Sequence, residues 1–147
     1  MYRVLTGRAQ TLAHFDSEHL NALHGKLGVA FDVGYIGYFS QAEICDLAGL
    51  VNGRAPARLT TAARAEACAH RNPDFIFGNR TQLNLMSKHM SLAGWQVCSQ
   101  YDFTNLRQPD RHYLLLPPAT ADHLCHDITG AAPYPIDQSI PIQPYPS

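Results

Sequence analysis

The chain has 147 residues, a formal net charge of −1, 46% hydrophobic and only 16% charged residues. That charged share is low against about 25% for ordinary soluble domains, which excludes a disordered chain and predicts one folded domain with its own core. A near-neutral balance also excludes whole-protein attraction to polyanions.

The charge is unevenly placed. Residues 54–88 carry Arg54, Arg58, Arg64, Arg71, Arg80 and Lys88 against Glu66 and Asp74, while the flanking segments are acidic. Cys45, Cys68, Cys98 and Cys125 form no C-x-x-C pair and read as reduced, partly buried thiols, which predicts a cytosolic protein. The N-terminal residues lack a continuous apolar run, so no signal peptide is expected. No run approaches the ~20 apolar residues of a membrane span.

In chain order, Tyr2–Leu5 is a short strand candidate. Asp16 is placed to cap a helix through Lys26, with Leu20, Leu23 and Leu27 on one face and Gly28 as its stop. Val29, Phe31, Val33 and Tyr35 alternate with small or polar residues and predict a strand. Ser40-Gln-Ala-Glu43 has the form of a capping box and predicts a helix over 41–51 that buries Ile44, Leu47, Ala48 and Val51. Thr60 or Thr61 starts an alanine-rich helix to His70, ended by Asn72-Pro73. Phe75–Phe77 is a short apolar strand.

The best-marked unit runs from Thr81 to Pro117. Thr81 caps a helix over 82–93 whose core stripe is Leu83, Met86, Met90 and Ala93, and Gly94 stops it. A strand from Trp95 to Phe103, a turn over Thr104–Asp110 and a strand from Arg111 to Pro117 follow, with Trp95, Val97, Tyr101 and Phe103 on one face. Ala119–Thr129 is a final helix closed by Gly130. Five of the ten prolines then fall between Pro133 and Pro146, among Tyr134, Ile136, Ile140 and Ile142. Such a segment is extended, and its apolar residues predict docking on a surface. The reading is a single α+β domain over 1–130, with an antiparallel sheet and four or five helices, and a proline-rich tail over 131–147.

The order helix 41–51, helix 61–70, helix 82–93, hairpin 95–117 resembles a winged-helix DNA-binding domain. The resemblance implies that helix 82–93 reads duplex DNA through Asn84, Ser87, Lys88 and Ser91, opposite the Leu/Met stripe. Asn and Lys match adenine and guanine edges in the major groove. Arg80 at the helix start, with Arg107 and Arg111 at the wing tip, would contact phosphates. A protein–protein regulator or a homodimer joined by the tail is the alternative partner class.

Enzymatic signals are sparse. Tyr2-Arg3-Val4-Leu5 and the segment Gly34–Gln41 distantly resemble two motifs of ADP-ribosyltransferases, which implies Arg3 and Ser40 as nucleotide-holding residues. The family's late glutamate is missing, because the glutamates are Glu18, Glu43 and Glu66. Pro73-Asp74 followed by Met86-Ser87-Lys88 is similar to a nuclease pattern but lacks its second carboxylate. His123 and His126 share a helix face, yet two ligands do not make a tetrahedral metal site. No phosphate loop or other cofactor signature is present. The chain therefore reads as a non-enzymatic binding protein with no metal and no cofactor, and nucleotide-processing chemistry around Arg3 and Ser40 is the enzymatic alternative.

Overall fold

The computed structural model describes residues 19–31, 33–47, 60–104 and 109–136. A 3-10 turn, Leu20–Leu23, precedes β1 (Leu27–Ala30), α1 (Val33–Ser40) and β2 (Glu43–Asp46). Next come α2 (Thr61–His70), β3 (Phe75–Asn79) and α3 (Arg80–Ser87). The hairpin strands β4 (Gln96–Thr104) and β5 (Pro109–Leu116), then α4 (Ala121–Thr129) and β6 (Tyr134–Pro135), complete the described elements.

The fold is α+β, with one six-stranded sheet in the order β2-β1-β3-β5-β4-β6 and four α-helices among the described residues. The sheet is mixed rather than antiparallel. β1 runs parallel to both β2 and β3, whereas β3–β5, β5–β4 and β4–β6 are antiparallel. Parallel neighbours need crossover connections, and α1 and α2 supply them. Asp74 secures the start of this half, its backbone N–H donating to the Leu27 carbonyl at 2.7 Å and its carboxylate accepting the Leu27 N–H at 2.9 Å.

Core packs on both faces of the sheet. One cluster joins Leu20, Leu23, Ile36, Phe75, Phe77, Tyr101, Leu114, Leu124 and Ile128, under the 3-10 turn, α1 and α4. The other joins Val29, Ala65, Ile76, Leu83, Met86, Trp95, Val97, Tyr113 and Leu115, under α2 and α3. Gly28 is a packing position rather than a helix stop. A Cβ there would lie 2.1 Å from Cζ of the Phe75 ring, so only glycine admits the ring across the β1–β3 pair.

Several local readings change. The alternation from Val29 is strand only to Ala30, and Val33–Ser40 is helical, because β1 must cross over to reach its parallel neighbour. Ser40 closes α1 instead of opening a helix. Its hydroxyl accepts the Ala42 N–H at 3.2 Å, Gln41 turns at φ 53°, and Glu43–Asp46 is the edge strand β2. The first helix is a 3-10 turn followed by Gly25 at φ 78°, while its expected cap, Asp16, lies outside the described residues. Within β4 a bulge between Val97 and Ser99 turns Tyr101 to the face opposite Val97, so the expected shared face divides between the two cores.

The start of α2 and the end of α4 are met as read. The Thr60 hydroxyl accepts the Ala63 N–H at 3.1 Å and caps α2, and Gly130 ends α4 at φ 75°. Of the tail, Tyr134–Pro135 adds to the sheet beside β4 of the same chain, with Tyr134 and Ile136 against the core. Residues 137–147 lie outside the described ones.

The cysteines are not free thiols. Cys45–Cys68 ties β2 to α2, and Cys98–Cys125 ties β4 to α4, one bond on each face of the sheet. Sequence separations of 23 and 27 residues concealed the pairing, which only the strand and helix placement creates.

Candidate functional site at the ends of the parallel strands

β1, β2 and β3 point the same way, so their C-terminal ends lie along one edge. From β1 the chain crosses to β2 on one side, then returns past β1 to β3 on the other. In open sheets of this winding, the gap between the two divergent strands is the usual ligand crevice. A cleft of about 460 Å³ opens there, lined by Phe31, Thr61, Asn79, Thr81, Gln82, Asn84, Leu85 and Lys88. Its volume falls within the ~300–1,000 Å³ of small-molecule sites.

The cleft is built by local chemistry. At the end of β3, the Asn79 side chain accepts the Gln82 N–H at 3.0 Å, and Gln82 Oε1 accepts the Asn79 N–H at 2.9 Å. This reciprocal capping box starts α3 at Arg80, two residues before the expected start. Gly78 leaves room for it, since a Cβ there would meet Gln82 Oε1 at 2.8 Å. Asn79→Ala is expected to lower stability by about 1 kcal/mol, with Asn79→Asp close to wild type, as read by thermal unfolding. Phe31 follows β1 and is 37% exposed, and Thr61 is the first residue of α2.

The residues expected to read DNA divide between several places. Asn84 and Lys88 line the cleft, and Arg80 is exposed beside it at the first position of α3. Ser87 is 2% exposed and its hydroxyl donates to the Asn84 carbonyl at 2.7 Å, so it belongs to the core side of α3. Ser91 lies beyond the helix, which ends at Ser87, and its hydroxyl accepts the Ala93 N–H at 3.2 Å. Arg111 is exposed on β5, in register with Asp102, and Arg107 lies outside the described residues.

In the helix order that resembled a winged helix, 43–46 is instead a strand, and β3 lies between α2 and α3 in the chain. Among the described residues, part of the central positive charge is engaged within the fold. Arg71 pairs with Glu43 at 2.6 Å, and Arg64 donates to the Leu47 carbonyl at 2.6 Å and to Thr61 at 3.3 Å. Arg54 and Arg58 lie outside the described residues.

Ser40 is completely buried and its hydroxyl is used within the α1–β2 turn, while Arg3 lies outside the described residues. His123 is exposed and faces Asp127 at 3.4 Å. Among the described residues no three His, Cys, Asp or Glu side chains converge as a metal site would need, and no helix is long and apolar enough to cross a membrane.

Sequence reading missed Phe31, Thr61, Asn79, Thr81, Gln82 and Leu85. Asn79-x-x-Gln82 after the apolar run Phe75–Phe77 was the available signal, since it marks a strand passing directly into a helix.

Fold and site together define an α+β domain with a cleft at the C-terminal edge of a parallel strand trio. The chain belongs to a family described as a domain of unknown function (DUF8728), whose model matches residues 3–122. No curated protein and no solved structure matches it.

Proposed function

We propose that this domain is a non-enzymatic binding protein that holds a nucleotide unit of a nucleic-acid strand in the cleft between β1 and β3. The observation that carries the reading is the joining of Lys88 and Asn84 with an exposed aromatic, Phe31, in one crevice at the strand switch. Lys88 offers a cation for phosphate, the Asn84 and Gln82 amides offer donors and acceptors for a base edge, and Phe31 offers a stacking surface. Among the described residues the lining contains no carboxylate, histidine or thiol to serve as a base beside Thr61, Thr81 or Lys88, which supports a binding role.

A single strand suits the cleft better than duplex. α3 spans only Arg80–Ser87 and buries Leu83, Met86 and Ser87, leaving a short exposed face for a major groove. A cytosolic setting, expected from free thiols, loses that support, and paired cysteines favour a chain that folds under oxidising conditions.

The test is fluorescence anisotropy with labelled single-stranded and duplex oligonucleotides across a salt series. Lys88→Ala is expected to weaken single-strand binding and lower the salt slope by about 1, one released counterion for one phosphate contact. Absence of any association at low salt, or an unchanged slope in the variant, sinks the reading. Preference for duplex would restore groove reading by α3.

A further inference from the structure

Helix α2 is held to the sheet in an unusual way. Its buried residues are Ala65, Cys68 and Ala69, all small, whereas α4 buries Ala121, Leu124, Cys125 and Ile128. Little apolar area therefore anchors α2. Beyond these small residues packed toward Leu83 and Met86 of α3, its attachment runs along β2 and the residue after it, through three links spaced down the helix. Arg64 donates to the Leu47 carbonyl at 2.6 Å, Cys68 is bonded to Cys45, and Arg71, just past the helix, pairs with Glu43 at 2.6 Å. The Arg71–Glu43 pair is exposed, with side chains 47% and 64% accessible, so solvent weakens it. The first residue of the same helix, Thr61, is a wall of the cleft and is held by Arg64.

We propose that the Cys45–Cys68 bond is a redox latch on α2: reduction releases this helix locally, and the cleft loses its Thr61 wall. The inference concerns the helix and stands whatever the cleft binds. The reductant is a dithiol. One of its thiolates attacks a sulfur of the Cys45–Cys68 bond, which breaks; the electron pair passes to the other cysteine sulfur, which takes up a proton. The second thiol of the reductant loses its proton and displaces the first protein sulfur, which is protonated in turn. Two electrons and two protons pass to the protein, and the dithiol leaves as a cyclic disulfide. Cys45 and Cys68 are 6% and 1% exposed, so attack requires the local opening that a weakly anchored helix permits. Cys98–Cys125 lacks this property, because Leu124 and Ile128 hold α4 in place without it.

The experiment steps the intact chain through dithiothreitol, identifies reduced cysteines by alkylation and mass, and follows amide exchange by peptide. When Cys45 and Cys68 become alkylated, exchange over residues 61–70 is expected to rise on the order of a hundredfold, the loop-closure advantage of such a bond. Over the same steps β3, β5 and α4 are expected to stay protected. The variant Cys45→Ala/Cys68→Ala is expected to show the same local rise without reductant. Alkylation with unchanged exchange over 61–70 overturns the latch, as does a rise spread evenly over every element. Resistance of Cys45–Cys68 until the whole chain unfolds overturns it too.

Discussion

Phe75→Ala is expected to cost about 3–5 kcal/mol, the range for deleting a large buried aromatic. Phe75 is completely buried in the first core, and its ring occupies the space above Gly28 on the neighbouring strand. The converse change is also costly. Gly28→Ala places a Cβ about 2.1 Å from the ring, where real atoms cannot sit, so strand or ring must shift. About 1–3 kcal/mol is the usual cost of such overpacking, and this site stands at the upper end because the ring has core on its other side. The two changes are expected to couple. With Phe75 removed, the alanine methyl meets vacated space, so the double variant should be clearly less destabilised than the two single losses combined. A double-mutant cycle from denaturant midpoints checks this, and simple additivity would mean the two residues do not share that space.

Loss of the Cys98–Cys125 bond in Cys98→Ala/Cys125→Ala is expected to cost about 3 kcal/mol, mainly by freeing the unfolded chain. The bond spans 27 residues and joins β4 to α4 on the face carrying Phe77, Tyr101 and Leu114. Because α4 keeps Leu124 and Ile128 in that core, its helicity should survive while the cooperative midpoint falls. Urea unfolding read by circular dichroism distinguishes this from local release, in which α4 would melt ahead of the sheet. Cys45–Cys68 and Cys98–Cys125 close loops of similar length, and they are expected to act differently because the helices they hold are anchored differently.

The cleft was only partly legible in the sequence. Asn84 and Lys88 were visible because a helix repeats its faces every 3.6 residues, which set them apart from Leu83 and Met86. Ser87 fell on the wrong side. Its hydroxyl satisfies itself on the Asn84 carbonyl, and a small side chain so bonded is readily buried. Ser91 was misplaced because the apolar spacing continues through Met90 and Ala93, although α3 ends at Ser87 and the later apolar residues pack from a turn. Phe31, Thr61 and Asn79 come from three separate elements, and no spacing in the chain relates them.

What the sequence determined by itself is local. The hydroxyl of Thr60, the left-handed glycine at 130, the apolar run at Phe75–Phe77 and the pairing of β4 with β5 each act between residues near in the chain, and the structure forms the elements they mark. What only the tertiary structure decided is the half of the fold that holds the site. Ser40-x-x-Glu43 satisfies a helix cap as well as a turn, and Val29–Tyr35 alternates as well for a strand as for a strand passing into a helix. Such local preferences differ by a few tenths of a kcal/mol to about 1 kcal/mol. Pairing β1 with β2 and β3 satisfies whole ladders of backbone groups and buries Val29, Ala30, Phe75 and Ile76, a larger and non-local gain. That pairing set the parallel trio, brought Cys45 to Cys68, and opened the cleft at its end.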